Sequence, residues 1–165
     1  MRGEPVKLYF LCGKMAAGKS TFAKGLARAK NAVLLVQDDF LGALYPGEIQ
    51  TIQDFAQCAA RLREALSVHI HDLLSHGVPV VLDFPGNTRA QRQWFRALFE
   101  AANVEHELHF IDAPDDLCKR QLRQRSQMLP AGAAWTTEAE FDAITAYFEA
   151  PGEDENFNVV RHGST

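Results

Sequence analysis

The chain has 165 residues, a formal net charge of −4 and 47% hydrophobic residues. These values predict one globular domain with a core of ordinary size and leave no room for a second domain. The slight negative charge disfavours a protein that grips a long nucleic-acid backbone, because such domains usually carry a surplus of basic residues.

The cysteines and the hydropathy of the chain predict a cytoplasmic protein without a membrane segment. Cys12, Cys58 and Cys118 are widely spaced and form no CxxC pair, so neither a disulfide framework nor a zinc knuckle is indicated. No apolar run is long enough to cross a membrane, and MRGEPVK leads directly into the first strand rather than into the apolar part of a signal peptide. We therefore expect reduced thiols.

Five short apolar runs alternate with longer amphipathic segments along the chain. Each run is rich in β-branched, aromatic or leucine residues and has the length of a strand. The predicted strands cover residues 7–12, 32–36, 78–82, 106–111 and 157–160.

Helices are predicted between these strands. Apolar residues recur at steps of three and four over 55–73, which predicts a helix of about six turns. Strands that alternate with helices pair in parallel through right-handed crossovers, so the expected fold is a three-layer α/β sandwich. Later helix starts are marked by capping-box spacing or by proline in a first turn: Thr88 with Gln91, Pro114, and Thr137 with Glu140, the last helix continuing through Phe148.

The segment between the first strand and the first helix, GKMAAGKS, satisfies the pattern GxxxxGK[ST]. Glycines let the backbone curve so that successive N–H groups point inward, and the following helix adds its unpaired N–H groups and positive dipole end. This loop is therefore predicted to bind a phosphate chain. The residues predicted to hold the nucleotide are Gly13, Lys14, Met15, Ala16, Ala17, Gly18, Lys19, Ser20 and Thr21.

Two side chains of the loop have predicted roles in phosphoryl transfer. Lys19 is expected to reach the β- and γ-phosphates, and the hydroxyl of Ser20 is expected to ligate a Mg²⁺ ion that bridges them. The predicted cofactors are ATP and Mg²⁺.

Four parts of the chain together resemble a known family. The phosphate loop, the acidic pair Asp38 and Asp39 after the second strand, VVLDFPGNT after the third strand and the arginine-bearing helix after the fourth resemble small P-loop kinases of the zeta-toxin and chloramphenicol-phosphotransferase type. The resemblance covers residues 6–162, and only the loop is highly specific. It implies an adenylate-kinase-like P-loop sheet of order 2-3-1-4-5, an ATP·Mg²⁺ donor and the hydroxyl of a small molecule as acceptor.

Three carboxylates follow predicted strands, at the sheet edge where open α/β sheets bind ligands. The resemblance implies that Asp38 is the general base that accepts the proton of the attacking hydroxyl, while Asp39 or Asp38 can instead cap the next short helix. Asp83 is predicted to hold a magnesium-bound water or to contact the acceptor, and its alternative role is that of a turn residue before Pro85.

The helix after the fourth strand carries CKRQLRQRS. The resemblance implies that a lid supplies arginines to the transferring phosphoryl group, and Arg123 and Arg125 are the predicted contacts, ahead of Arg120. Arginines at a helix C-terminus also complement the helix dipole without any further role. The segment around residues 120–136 is the predicted lid, and closure of 126–136 is expected to exclude water.

Several other polar residues receive a structural interpretation. Arg89 and Arg92 open a helix, where the resemblance allows an acceptor contact but a solvated face is the commoner outcome. PGEDENF is interpreted as a connector. His162 follows the last strand and can lie near an adenine or on the surface.

Three functions remain open from the sequence. The first is an ATP-dependent kinase for a small-molecule hydroxyl, and the second is a polynucleotide 5′-hydroxyl kinase, which the mild acidity supports poorly. The third is a nucleotide-dependent switch that binds a protein partner. A switch needs Lys19 and Ser20 but has no use for Asp38 as a base.

Overall fold

The computed structural model describes residues 4–128 and 137–163. Strands and helices alternate along these residues as the sequence predicts. In chain order the elements are β1 (Lys7–Cys12), α1 (Lys19–Lys30), β2 (Val33–Val36), α2 (Gln37–Leu44), α3 (Ile52–Ser75), β3 (Val80–Asp83), α4 (Arg89–Ala102), β4 (Glu105–Asp112), α5 (Asp115–Gln127), α6 (Glu138–Thr145) and β5 (Val159–Gly163), with a 3₁₀ turn at Glu153–Glu155.

The five strands form one parallel sheet of order β2-β3-β1-β4-β5. In the centre of the sheet Phe10 of β1 lies opposite Leu82 of β3 on one side and Leu108 of β4 on the other. The predicted fold class and strand order are confirmed. All carboxyl ends of the strands meet at one edge, where an open α/β sheet binds its ligands.

The side chains of β1 alternate between two buried faces of the sheet. Phe10 is fully buried under α4, where its ring stacks on that of Phe95 with centroids 4.5 Å apart. Tyr9 and Leu11 point the other way and pack with Ala23 of α1. Successive side chains of a strand point to opposite faces of the sheet, and here both sets are buried, so helices cover both faces.

A smaller apolar cluster fixes the phosphate loop against the C-terminal helices. Ala16 of the loop packs with Cys118 and Leu122 of α5 and with Phe141 of α6. Phe141 is fully buried. Because this cluster joins the loop to α5 and α6, residues on those helices are positioned relative to the phosphate site.

The longest helix, α3, begins at a capping box that the sequence analysis did not single out. The Thr51 hydroxyl accepts the N–H of Asp54 at 2.9 Å, and the Asp54 carboxylate accepts the N–H of Thr51 at 3.2 Å. Within the two described ranges of the chain, no helix is both long enough and apolar enough to span a membrane.

Two element boundaries differ from the prediction near the C-terminus. Helix α6 ends at Thr145 rather than continuing through Phe148. The N–H groups of Tyr147 and Phe148 bond to carbonyls three residues back, which tightens the last turn and ends the α-helix. Strand β5 begins at Val159 instead of residue 157. The early end of α6 leaves the Tyr147 and Phe148 side chains beside the site described next.

Candidate active site

The backbone of the phosphate loop takes the curved path that the glycine pattern predicts. Gly18 has φ 102° and Ala16 has φ 61°, both in the left-handed region. A Cβ at Gly13 would lie 2.9 Å from the Ile111 carbonyl oxygen, so a larger residue does not fit there. Gly18 is also the N-cap of α1, and a glycine has no side chain to bind the first N–H groups of the helix. These N–H groups suit an anion.

Lys19 is half-buried at the start of α1, with its ammonium group turned back into the loop. Its Nζ donates a hydrogen bond to the carbonyl oxygen of Gly13. Burial lowers the pKa of Lys19, and the negative charges of Asp83 and Asp38 act in the opposite direction. A cation with one carbonyl partner and two carboxylates at longer range is placed to bind phosphate oxygens.

Ser20 of α1 and Asp83 of β3 are brought together at the carboxyl edge of the sheet. The Ser20 hydroxyl donates to Asp83 Oδ2 at 2.8 Å. Asp83 is the last residue of β3, and Ser20 lies in the first turn of α1 beside it. Mg²⁺ prefers oxygen ligands and usually keeps several waters, so a hydroxyl next to a carboxylate fits this ion. The metal roles of both residues stay predictions.

A cavity of about 480 Å³ opens in front of the phosphate loop. Residues 14–20 of the loop line it together with Asp83 and Asp38, whereas the predicted Gly13 and Thr21 do not. Of all the lining residues outside the loop, six are aromatic or apolar and eight are polar or charged. The lining residues outside the loop are Gln37, Asp38, Phe55, Asp83, Phe84, Pro85, Asn87, Thr88, Gln91, Arg125, Ile144, Thr145, Tyr147 and Phe148.

Asp38 lies in the first turn of α2 at the mouth of this cavity. The N-cap of α2 is Val36, so Asp38 does not have the capping role that was its alternative interpretation. Asp38 has an open surface, yet the surrounding cleft removes part of its hydration, and this raises its pKa. The neighbouring charges of Asp83 and Asp39 raise it further, whereas Lys19 lowers it. Asp39 does not line the cavity.

The loop between β3 and α4 is tied to the phosphate loop by a side chain. Asn87 Oδ1 accepts the N–H of Gly13 at 2.9 Å. Thr88 caps α4 by accepting the N–H of Gln91 at 3.1 Å, as its sequence spacing predicts. The backbone N–H of Asn87 in turn donates to Gln91 Oε1 at 2.9 Å. The loop after β3 and the phosphate loop are therefore one connected unit.

The two predicted arginines of α5 lie in different surroundings. Arg125 lines the cavity at the phosphate loop and also a second cavity beside it. Arg123 instead forms an ion pair with Glu138 of α6 and lines neither. Residues two apart on a helix point about 200° apart around its axis, so one helix does not present both to the same site. Of the predicted lid, residues 129–136 lie outside the described residues.

The second cavity, of about 660 Å³, lies on the other side of the loop. Thr21 and Phe22 of α1 form one wall, and His162 of β5 forms part of another. His162 Nε2 is 2.9 Å from His109 Nδ1, and His109 Nε2 is 3.0 Å from a Glu107 carboxylate oxygen. His162 is therefore held in place beside the loop rather than frayed on the surface.

The expectation that Arg92 faces solvent is wrong. Arg92 is fully buried and forms a two-bond pair with the buried Glu155, at 2.9 and 3.0 Å. The same guanidinium donates to the carbonyls of Gly86 and Glu149 at 2.9 and 2.8 Å. PGEDENF thus supplies the partner of a buried cation and does more than connect α6 to β5. Sequence offered no signal for this pair, because its members lie in separate segments.

Comparisons with known proteins agree with this fold. The sequence model of the AAA_33 family, described as an AAA domain, matches residues 8–151. A search of curated proteins gives no match. Among solved structures, a sugar kinase from Janibacter sp. HTCC2649 is similar over 96% of this chain and 86% of its own, with a TM-score of 0.65 and 16% identity.

Two further structures are similar in the same way. The APS kinase of Mycobacterium tuberculosis, in complex with AMPPNP and APS, matches over 98% of this chain and 90% of its own, with a TM-score of 0.64 and 19% identity. A chain of the Pnkp1/Rnl/Hen1 RNA repair complex matches over 88% of this chain and 45% of its own, with a TM-score of 0.68 and 17% identity. At these identities the likeness concerns the fold, and proteins with different partners share it.

Proposed function

The chain belongs to the AAA_33 family, and on that premise we propose that it is an ATP-dependent phosphotransferase that moves the γ-phosphoryl group to a hydroxyl of a small molecule. One observation carries the proposal: Lys19, the Ser20–Asp83 pair and Asp38 line one cavity of about 480 Å³. A phosphate site, a metal site and a carboxylate base are the three parts that such a transfer needs.

The donor side of the reaction is assigned to the phosphate loop and its neighbours. The loop N–H groups and Lys19 would bind the phosphate oxygens, and Ser20 with Asp83 would hold Mg²⁺. When bound, the ion would neutralise part of the charge on the phosphates. Arg125 lines both cavities and is assigned to contact the transferring group. The adenine ring of ATP is assigned to the second cavity, beside Thr21 and His162.

The acceptor side is assigned to Asp38. Its carboxylate accepts the proton as the O–H bond of the acceptor breaks, the acceptor oxygen bonds to the γ-phosphorus, and the bond from that phosphorus to the bridging oxygen breaks to release ADP. The raised pKa of Asp38 strengthens it as a base. Such a base contributes about 10²- to 10⁴-fold to the rate.

Small-molecule acceptors are favoured over a polynucleotide end by the walls of the cavity. Aromatic side chains from α3, the loop after β3 and the segment after α6 line it, and its cations, Lys14, Lys19 and Arg125, lie on the donor side. Lys14 is itself paired with Asp115 at 2.6 Å. A polynucleotide would need a basic path away from the site for its backbone. The narrower resemblance to zeta-toxin and chloramphenicol-phosphotransferase kinases supports the same choice.

The proposal is tested by ³¹P NMR of ATP·Mg²⁺ turnover against pooled hydroxyl compounds. The pools contain sugars, nucleosides, hydroxyl-bearing antibiotics and a short 5′-hydroxyl oligonucleotide, and the Asp38→Asn protein is the control. We expect a new phosphate-ester signal from a small-molecule pool that the control lacks. Tight ATP·Mg²⁺ binding without an ester from any pool would favour a nucleotide-dependent switch and contradict the proposal.

A further inference from the structure

Gln37 is a buried polar residue whose hydrogen bonding is incomplete. Only 1% of its surface is exposed, and its Oε1 is the one buried side-chain oxygen or nitrogen in the described residues that has no hydrogen-bond partner. A buried polar atom without a partner lowers the stability of the folded state. Apolar side chains of similar volume avoid this cost, so the amide at this position needs an explanation other than stability.

The place of Gln37 in the fold supplies a candidate explanation. It directly precedes Asp38 at the start of α2, and it lines both the main cavity and a side cavity of about 160 Å³. Phe84, Pro85 and Gln91 also line both cavities. The two spaces therefore adjoin at these side chains, and Gln37 lines each of them. Its flat amide can turn over, which exchanges oxygen and nitrogen at the same two positions.

The side cavity contains a cation that forms no ion pair with a carboxylate in the described part of the chain. Arg63 of α3 is half-buried and lines this cavity with Trp94. None of the arginine ion pairs in residues 4–128 and 137–163 involves Arg63. The turn that carries it is fixed, because Ser67 donates to the Arg63 carbonyl at 2.6 Å and Trp94 Nε1 donates to Ser67 Oγ at 2.9 Å.

Together these groups have the chemistry of an oxyanion site. The Arg63 guanidinium has only donors, and the Gln37 amide, when turned over, places its NH₂ group at the position of the unpartnered oxygen and adds two more donors. A carboxylate has several acceptor sites and no proton, and its flat shape matches the fork of a guanidinium. The positive charge of Arg63 also offsets the repulsion between an anionic acceptor and the carboxylates of Asp38 and Asp83. An uncharged acceptor would leave the guanidinium without a counter-ion.

We infer that Gln37 and Arg63 form a second recognition point for the acceptor, which therefore carries a carboxylate in addition to the hydroxyl that is phosphorylated. The inference rests on the proposed function for the identity of the bound compound as an acceptor. Gln37 is a specificity residue here, and the proton transfer stays with Asp38.

Binding is measured apart from catalysis with three pairs of probes. In each pair one compound has a carboxylate group where the other has a hydroxymethyl group. The pairs are glycerate and glycerol, gluconate and sorbitol, and 4-(hydroxymethyl)benzoate and 1,4-benzenedimethanol. Trp94 lines the side cavity, so its fluorescence reports occupancy. The second tryptophan, Trp135, is replaced by Phe in every protein used. The titrations contain a non-hydrolysable ATP analogue and Mg²⁺.

We expect at least one carboxylate compound to bind at least about 10-fold more tightly than the hydroxymethyl compound of the same pair. Arg63→Gln should reduce that preference to within about 2-fold, because a charge-assisted hydrogen bond is worth about 10- to 100-fold in affinity. Arg61→Gln, at an exposed position of the same helix, is the matched control and should change nothing. No preference in any pair, or an equal preference in the Arg63→Gln protein, overturns the inference.

Substitution of Gln37 gives an independent measurement that does not need a ligand. Gln37→Met removes the unpartnered oxygen from a buried position and should raise the midpoint of thermal unfolding, while it weakens carboxylate binding about 10-fold. A fall in the midpoint, with binding unchanged, would show that the amide is structural and would overturn its role in recognition.

The failure of this inference is distinguishable from failure of the proposed function. Ester formation from hydroxymethyl compounds, with no carboxylate preference, would leave the kinase standing and remove the second recognition point. Carboxylate binding that depends on Arg63, without ester formation from any bound carboxylate, would support the site and count against phosphoryl transfer.

Discussion

Arg92 and Lys19 are both cations withdrawn from solvent near the carboxyl end of β1, but their surroundings differ. Arg92 donates to two carboxylate oxygens and two carbonyls at 2.8–3.0 Å. Lys19 lines the cavity at the phosphate loop and donates to the carbonyl of Gly13, its one hydrogen-bond partner among the described side-chain contacts. A buried charge whose donors are satisfied holds the fold together, whereas one that keeps spare donors is available to a ligand.

The largest effect on activity is expected from Lys19→Met. Phosphoryl transfer should fall by at least about 10³-fold, because the charge that stabilises the transferring group is lost. Stability at neutral pH should stay the same or rise, since the lowered pKa of Lys19 means that the folded state disfavours its charged form. ADP formation and thermal unfolding are measured on the same protein. Near-normal turnover, or a large loss of stability, would contradict the contrast with Arg92.

Arg92→Met is expected to have the opposite profile. The substitution leaves the buried Glu155 carboxylate without its partner, which typically costs about 3–5 kcal/mol in the free energy of unfolding. The double variant Arg92→Met/Glu155→Met should recover most of that loss, because no uncompensated charge remains. Chemical denaturation of the three proteins checks this. A single variant as stable as wild type would show that the pair is not a structural element.

A smaller effect is expected at the edge of the cavity. Arg125→Ala should lower the kcat of transfer by about 10- to 100-fold, because one charged hydrogen bond to the transferring group is lost. Arg123→Ala, on the same helix but paired with Glu138, is the matched control and should change kcat by less than about 2-fold. Steady-state kinetics on the two proteins decide which arginine contacts the transferring group. A larger loss of kcat for Arg123→Ala would give that role to Arg123 instead of Arg125.

The smallest effect concerns pH. The pKa of Asp38 is raised by partial loss of hydration in the cleft and by the charges of Asp83 and Asp39. The acid limb of the pH profile of kcat/KM should therefore lie above the usual pKa range of an aspartate. Transfer should rise with pH as Asp38 loses its proton. Its raised pKa favours the neutral form in the folded state, so its contribution to stability is present at low pH and lost as pH rises through that pKa.

Asp39→Asn should move the acid limb of the kcat/KM profile to lower pH. An unchanged profile would exclude Asp39 as a cause of the raised pKa of Asp38.

The strands, the helices and the phosphate loop could be predicted because their signals are local, whereas the strand order came from the family resemblance. Strand and helix periods, the glycine spacing of the loop and the position of Asp83 at a strand end are each read within a few residues. Arg92 and Glu155 meet across 63 positions in the chain, and a polar residue near a helix start is typical of a solvated surface. The different surroundings of Arg123 and Arg125, and the buried amide of Gln37, likewise depend on packing between segments.

The most direct test of the central claim, that Asp38 is the base of a phosphoryl transfer, compares Asp38→Asn with Asp39→Asn. Calorimetry measures ATP·Mg²⁺ affinity, and ³¹P NMR measures ester formation with the acceptor found from the pools. We predict that Asp38→Asn keeps its nucleotide affinity within about 3-fold and loses at least about 10²-fold in transfer, whereas Asp39→Asn keeps both. Undiminished transfer by the Asp38→Asn protein, or its loss in Asp39→Asn alone, would contradict the account.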